Sequence, residues 1–207
     1  MKAGIIGFGV GEQHIKGYEK SGVEVVAICD FSEEKRSAAK KKYPKCKIYS
    51  NSKDLVSDHE IDIVSIASYD QHHYEQILDS ISSKKHIFCE KPICTSEKEL
   101  FTIRQKLKKY PELKLSTNTI LRKSDRFNDL YSLIKKGEIG DIYNIEGDYN
   151  YGKIEKITEG WRSQVKNYSV ILGGGIHLID LVIWLTNSRV DQVFAYSNKF
   201  CTDSTNF

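Results

Sequence analysis

The run Gly7-Phe8-Gly9-Val10-Gly11 lies between a short apolar segment and a helix-prone one. Glycines at such a turn let the backbone bend tightly and approach a pyrophosphate with no Cβ in the way. Phe8 and Val10 lend their backbone to the same turn, and the helix N-terminus offers N–H groups to the anion. Asp30 closes the next apolar run, about 20 positions further on, where an acid can hold the hydroxyls of an adenosine ribose. An acid there repels a 2′-phosphate, so the pattern points to NAD before NADP. Lys35 and Arg36, a turn into the following helix, temper that preference. A ligand-free turn and a loop-starting aspartate are the plainer alternatives.

Two further runs follow the carboxyl ends of apolar segments, where open α/β sheets bind ligands. One spans 63–73 and makes Ala67, Ser68, Tyr69 and His73 candidate cofactor contacts; the other is Glu90-Lys91-Pro92. A lysine at such an edge can donate to a hydroxyl and stabilise negative charge developing on its oxygen. Proline after it restricts the turn. Taken singly, Glu-Lys-Pro is an ordinary exposed turn, and His72 and His73 are ordinary surface residues.

His177, Asp180 and Trp184 recur at i, i+3 and i+7 and so share a helix face. Asp180 can orient the imidazole or stabilise its charged form, while the N-terminal end of the helix dipole favours the neutral base. Removing hydride from a carbinol requires such a base for the hydroxyl proton. The alternative is one histidine on an amphipathic helix, held by an acid for structure.

These residues need a scaffold, and the hydrophobic pattern supplies one. Segments 3–6, 23–28, 61–67 and 86–89 are short, Val- and Ile-rich and nearly continuous in apolar character, as strands buried on both faces of a parallel sheet are. Segments 47–49 and 113–116 are weaker strand candidates. Between them lie helix-prone stretches at 12–20, 32–43, 52–57, 74–82 and 96–109, with Ser32 and Ser96 placed as N-caps ahead of first-turn carboxylates. Strand–helix alternation with short connections predicts right-handed βαβ units, hence a doubly wound sheet over 1–117. The rhythm then changes. A helix at 125–136 ends at Gly137, alternating stretches at 142–151 and 190–196 read as strands, and the Gly173–Gly175 triplet leads into an apolar helix at 176–185. Residues 118–207 thus read as a second region of mixed helix and strand.

Composition narrows the function classes. The 207 residues amount to about 1.4 domains at roughly 150 residues each. Apolar residues make up 40% and charged residues 29%, which excludes a disordered chain. Lys plus Arg number 31 against 28 Asp plus Glu, so there is no electrostatic footprint for nucleic acid or an anionic membrane. No apolar window approaches a membrane span, and Lys2 is followed by a stretch that Gly4, Gly7 and Gly9 break, unlike a signal peptide. Cys29, Cys46, Cys89, Cys94 and Cys201 form an odd set with no metal spacing. A reduced, cytoplasmic compartment is the expectation, and the Asn167-Tyr168-Ser169 sequon is then chance.

Together the residues resemble the glucose–fructose oxidoreductase, inositol dehydrogenase and rhizopine-catabolism group, Gfo/Idh/MocA. The resemblance covers essentially the whole chain. It rests on the glycine turn with His14 after it, Ile66-Ala67-Ser68 followed by His73, and Cys89-Glu90-Lys91-Pro92. It continues through Arg122, Gly137-Glu138-Ile139-Gly140, Gly160-Trp161-Arg162 and Gly173-Gly174-Gly175-Ile176-His177-Leu178-Ile179-Asp180. It implies a doubly wound NAD(P)-binding Rossmann domain over 1–117 and, over 118–207, part of an α+β substrate domain with a largely antiparallel sheet, whose face often serves as an oligomer interface, so a homo-oligomer is expected. It implies a sugar, sugar-nucleotide or polyol as hydride donor or acceptor. Lys91 would lie beside nicotinamide and substrate with a cis bond to Pro92, and His177 would be the general acid/base. Asn118, Arg122, Trp161 and Arg162 match positions that face the cofactor or substrate cleft.

The pattern is broken in four places. The phosphate turn is one residue short and sets Glu12 near the anion, so Glu12 must point away or cost affinity. Gly173 stands where many family dehydrogenases carry Asp, and Tyr69 replaces a common proline. The chain also stops early for a two-domain member, so a fragment, a truncated product or a dependence on oligomerisation is expected, because an incomplete sheet exposes an edge. A non-catalytic NAD-binding sensor or an inactive fragment are the rival readings.

Overall fold

The computed structural model describes residues 1–165 and 168–198, so Asn167 of the sequon and Cys201 lie outside the described residues. The chain divides into two compact units, Met1–Asn118 and Thr119–Phe207.

In the first unit the Val/Ile runs become strands β1 (Lys2–Ile6), β2 (Glu24–Cys29), β3 (Lys47–Tyr49), β4 (Ile63–Ile66), β5 (His86–Cys89) and β6 (Leu115–Thr117). They form one parallel sheet in the order β3-β2-β1-β4-β5-β6. Helices α1 (Gly11–Lys20), α2 (Glu33–Lys42), α3 (Ser52–Val56), α4 (His73–Ser82) and α5 (Glu97–Lys108) connect them. Strand order reverses at β1, which puts the switch point between β1 and β4 and opens a crevice at their carboxyl ends.

Two apolar clusters lie against the sheet. Ile5, Phe8, Ile15, Ile28, Ala39 and Cys46 pack with α1 and α2; Ile6, Leu55, Ile77, Ile81, Ile87 and Ile103 belong to the cluster under α3, α4 and α5. Both are necessary because a parallel sheet with crossover helices buries its two faces. Local chemistry sets the helix starts. Ser32 and Asn51 accept backbone N–H groups of α2 and α3, and Ser96 with Glu99 forms a reciprocal capping box on α5. Lys85 is buried, and its ammonium donates to the carbonyls of Asp58 and Ile61 at 2.8 and 2.7 Å, which offsets the cost of burying the charge. Burial, then the charge of Asp30, pushes the Cys29 thiol up to about 12, so it behaves as a small hydrophobe.

The second unit holds α6 (Asp125–Lys135), α7 (Glu155–Thr158), a 3₁₀ turn (Gly160–Gln164), a π turn (Ile171–Gly175) and α8 (Ile176–Thr186). Tyr131 of α6 stacks on Trp184 of α8, with centroids 4.7 Å apart and planes at 11°. The expected strands at 142–151 and 190–196 do not pair; among the described residues the six parallel strands are the whole sheet structure. Alternation marks a segment with one apolar face, but a strand also needs a hydrogen-bonded neighbour, and two such segments fall short of the three that make a stable sheet. Here 142–151 lies against α8 instead. A Cβ on Gly147 would meet Leu178, and one on Gly174 would meet the Tyr149 ring. The sheet face expected to serve as an oligomer interface is accordingly not formed by the described residues.

Candidate active site

The three turn glycines have different reasons to be glycine. Gly7 has φ +92°, and a Cβ there would collide with the Ala67 carbonyl; its N–H donates to Cys29 O at 2.8 Å. A Cβ on Gly11 would come within 2.7 Å of Ile5 Cγ2, where α1 packs on β1. Gly9 meets no such demand. It is exposed, and among the described residues the atom nearest the place of a Cβ is Lys35 Nζ at 3.7 Å. The space beside Gly9 is open. It adjoins an ammonium and the start of α1, where no side-chain cap is formed among the described residues; Glu12 and Gln13 N–H turn back onto the Gly9 and Val10 carbonyls at 3.4 and 2.9 Å, and the positive end of the helix lies at the turn. These features fit the pyrophosphate of a dinucleotide. Glu12, the misplaced acid, pairs with Lys42 at the end of α2, and that hydrogen bond holds its carboxyl below the ordinary range.

Asp30 is only 4% exposed. Its Oδ2 accepts from Phe8 N at 2.8 Å and its Oδ1 from Ser32 N at 2.9 Å, so the carboxylate ties the glycine turn to the α2 cap. Sequence reasoning passed over its neighbour Phe31, which is 67% exposed at the carboxyl end of β2 and meets Tyr69 edge-to-face at 5.6 Å. An exposed large aromatic at a strand end was the available signal.

The Glu90-Lys91-Pro92 turn leaves β5 with a cis Lys91–Pro92 bond. Beneath it lies a polar chain that sequence spacing could not show. Glu90 Oε1 receives Asn118 Nδ2 at 2.7 Å and His14 Nε2 at 2.9 Å, and His14 Nδ1 meets Ser65 Oγ at 2.8 Å. A carboxylate only accepts, so Nε2 carries a proton, and in the neutral ring Nδ1 accepts from the serine hydroxyl. Burial opposes ionisation of Glu90, but the hydrogen bonds from His14 and Asn118 and the charge of Lys91 outweigh it, so its carboxyl stays below the ordinary range. The chain clamps the first helix to β4, β5 and the end of β6, and so fixes the backbone from which Lys91 projects.

A carboxylate with a depressed folded pKa contributes stability that is present above the ordinary carboxylate range and lost as pH falls through the folded value. His14→Leu is therefore expected to lower unfolding free energy at neutral pH by about 2 kcal/mol, the scale of a hydrogen bond to a charged group. The gap to the parent should narrow in denaturant titrations carried below the ordinary carboxylate range. A gap that is constant with pH would remove Glu90 as its source.

Several sequence candidates take other places. His73, expected to contact cofactor, is fully buried, with Nδ1 at 2.7 Å from Pro92 O and Nε2 at 3.1 Å from Ser68 O; it braces the β4 and β5 turns against each other. Ser68 Oγ donates to Gln76 at 2.6 Å. In the second unit Asp180, expected to steady His177, is held by Arg122 through Nε–Oδ2 at 2.8 Å and Nη2–Oδ1 at 2.7 Å. The planar guanidinium fork matches a carboxylate better than an imidazole on the same helix face does. That pair raises the Arg122 pKa and occupies the charge expected to meet substrate. Arg162 lies 4.5 Å over the Trp161 ring and donates from Nε to Tyr168 Oη at 3.1 Å. Tyr168, which nothing in the pattern singled out, fills the space a side chain at position 173 would need. His177 sits in the first turn of α8, directly after the π turn. Among the described residues no cluster of His, Cys, Asp or Glu could hold a metal ion, and no helix is long and apolar enough to cross a membrane.

A parallel sheet with its switch point beside an open glycine turn defines a dinucleotide-binding α/β protein. Residues 1–118 match an oxidoreductase family with an NAD-binding Rossmann fold, and residues 127–206 match the GFO/IDH/MocA C-terminal domain. The chain belongs to the GFO/IDH/MocA oxidoreductase family. It is 28% identical over 201 residues to inositol 2-dehydrogenase of Salmonella paratyphi B, covering 95% of this chain and 57% of that one. With the inositol 2-dehydrogenase/D-chiro-inositol 3-dehydrogenase of Lactiplantibacillus plantarum, identity is 27%, covering 96% and 56%. The crystal structure of Lactobacillus casei scyllo-inositol dehydrogenase with bound NAD(H) and scyllo-inositol superposes with a TM-score of 0.79 at 25% identity, over 90% of this chain and 56% of that one. The chain thus spans a little over half the length of these relatives.

Proposed function

We propose that the chain acts as an NAD(P)-dependent oxidoreductase on the CH–OH group of a polyol or sugar-like molecule, with inositols the first substrates to try. The observation that carries the reading is the open Gly9 turn on the same sheet crevice as the clamped Glu90-Lys91-Pro92 turn. The relatives named for inositol oxidation support the substrate class. Bound nicotinamide would supply the hydride acceptor at its ring. Gly9 and the first turn of α1 hold the pyrophosphate, Asp30 shapes the ribose end, and Phe31 with Tyr69 flanks the adenine. Lys91 donates to the reacting oxygen and stabilises charge developing on it. His177, in the first turn of α8, is the residue assigned as general acid/base for the hydroxyl proton, the role the family resemblance implies for it.

A second reading, cofactor binding without turnover, is favoured by Gly173 and by the commitment of Asp180 to Arg122. One experiment separates the two. NAD is titrated into the chain by calorimetry, and formation of reduced nicotinamide is followed with a panel of inositols and sugars. Binding with cofactor reduction supports the oxidoreductase. Binding with no reduction by any member of the panel supports the sensor, and no binding removes both.

A further inference from the structure

The adenosine end of the crevice carries charges that the sequence pattern ranked differently. An acid at the end of β2 favours NAD when its carboxylate stands open to the ribose and repels a 2′-phosphate. Asp30 is not open. Its side chain is 2% exposed, and both oxygens already accept backbone N–H groups, from Phe8 and Ser32. Over it lies Lys35, whose Nζ is 3.8 Å from Asp30 Oδ2 and 3.7 Å from where a Cβ of Gly9 would be. The Lys35 side chain is 40% exposed, so its ammonium is the charge that an incoming ribose meets. Arg36, the neighbouring cation, turns its Nη1 to the carbonyls of Asp30 and Phe31 at 3.0 and 2.7 Å.

From this arrangement we infer that Lys35 sets cofactor choice and that the site accepts a 2′-phosphorylated adenosine ribose as well as an unphosphorylated one. The Lys35–Asp30 pair makes the ribose end close to neutral, which removes the repulsion that a lone acid would exert. Lys35 needs only to turn from Asp30 to the phosphate, exchanging one anionic partner for another that carries more charge. Asp30 is meanwhile kept satisfied by its two backbone donors. The inference rests on the dinucleotide reading of the crevice.

The test is calorimetric titration of the full chain with NAD and with NADP. For the parent, the two dissociation constants are expected to lie within about tenfold of each other, a difference of about 1.4 kcal/mol. Lys35→Met should raise the NADP/NAD ratio about tenfold or more, while Lys35→Arg, which keeps the charge, should hold the parent ratio. The Lys35 side chain is 40% exposed and Asp30 keeps its two backbone donors when it is replaced, so both variants are expected to fold, and thermal melts check that they do. A parent that binds NADP more than about a hundredfold more weakly than NAD, or a ratio indifferent to Lys35→Met, overturns the inference and leaves the cofactor reading intact. Failure of both dinucleotides to bind the parent is a different result, and it ends the cofactor reading and this inference together.

Discussion

Lys91→Ala is expected to reduce turnover by about 10²–10³-fold, the loss that follows removal of one donor from a developing oxyanion, with NAD affinity little changed. Glu90, just before the lysine, is anchored by His14 and Asn118, and the Pro92 carbonyl just after it is held by His73. The ammonium is therefore carried on a backbone held from two sides, which is what transition-state stabilisation requires of a donor. The pyrophosphate contacts proposed above fall on other residues, Gly9 and the start of α1, so binding and turnover should separate. Steady-state rates with the best polyol of the panel, set beside calorimetry for NAD, measure both. A variant that turns over at the parent rate would refute the role given to Lys91.

The second large effect distinguishes two glycines only two residues apart. Gly7→Ala should destabilise the protein by about 3 kcal/mol or more. A left-handed backbone costs a side-chain-bearing residue roughly 1–2 kcal/mol, and forcing a Cβ into packed atoms adds about 1–3 kcal/mol. Here the packed atom is the Ala67 carbonyl oxygen, part of a β4 end that cannot move without disturbing the sheet. Gly9→Ala should change stability by no more than about 0.5 kcal/mol, as at other unconstrained surface positions, yet weaken NAD binding by about tenfold or more through the lost close approach. Thermal melts and NAD titrations of the two variants give the contrast. Equal destabilisation by both would show that Gly9, too, is needed by the fold.

The first unit was largely legible in the sequence because its signals are local. Continuous Val and Ile runs between glycine and serine punctuation fall on β1, β2, β4 and β5, and Ser32 and Ser96 cap the helices they were expected to cap. Even the weaker run at 47–49 is β3, since the sheet supplies β2 as its partner. The stretches at 142–151 and 190–196 read equally well and do not pair, because alternation describes one chain and a strand is a relation between two. The site divides in the same way. Glycine spacing, the acid at the end of β2 and the Glu-Lys-Pro turn marked the crevice, as residue types near strand ends can.

What each group does there was decided by partners distant in the chain. Glu90 and His14 are 76 positions apart, and Asp180 and Arg122 are 58 apart; no spacing rule reaches so far. Spacing offered Asp180 to His177 and Asp30 to a ribose, whereas folding delivered a better-matched guanidinium to one and two backbone donors to the other. By itself the sequence determined that a parallel sheet forms and where its ligand-binding ends fall, since hydrophobic period and turn chemistry act over a few residues. Only the tertiary structure decided which of the charges at those ends stay free for a ligand. A buried charge takes whichever donor the fold brings within about 3 Å.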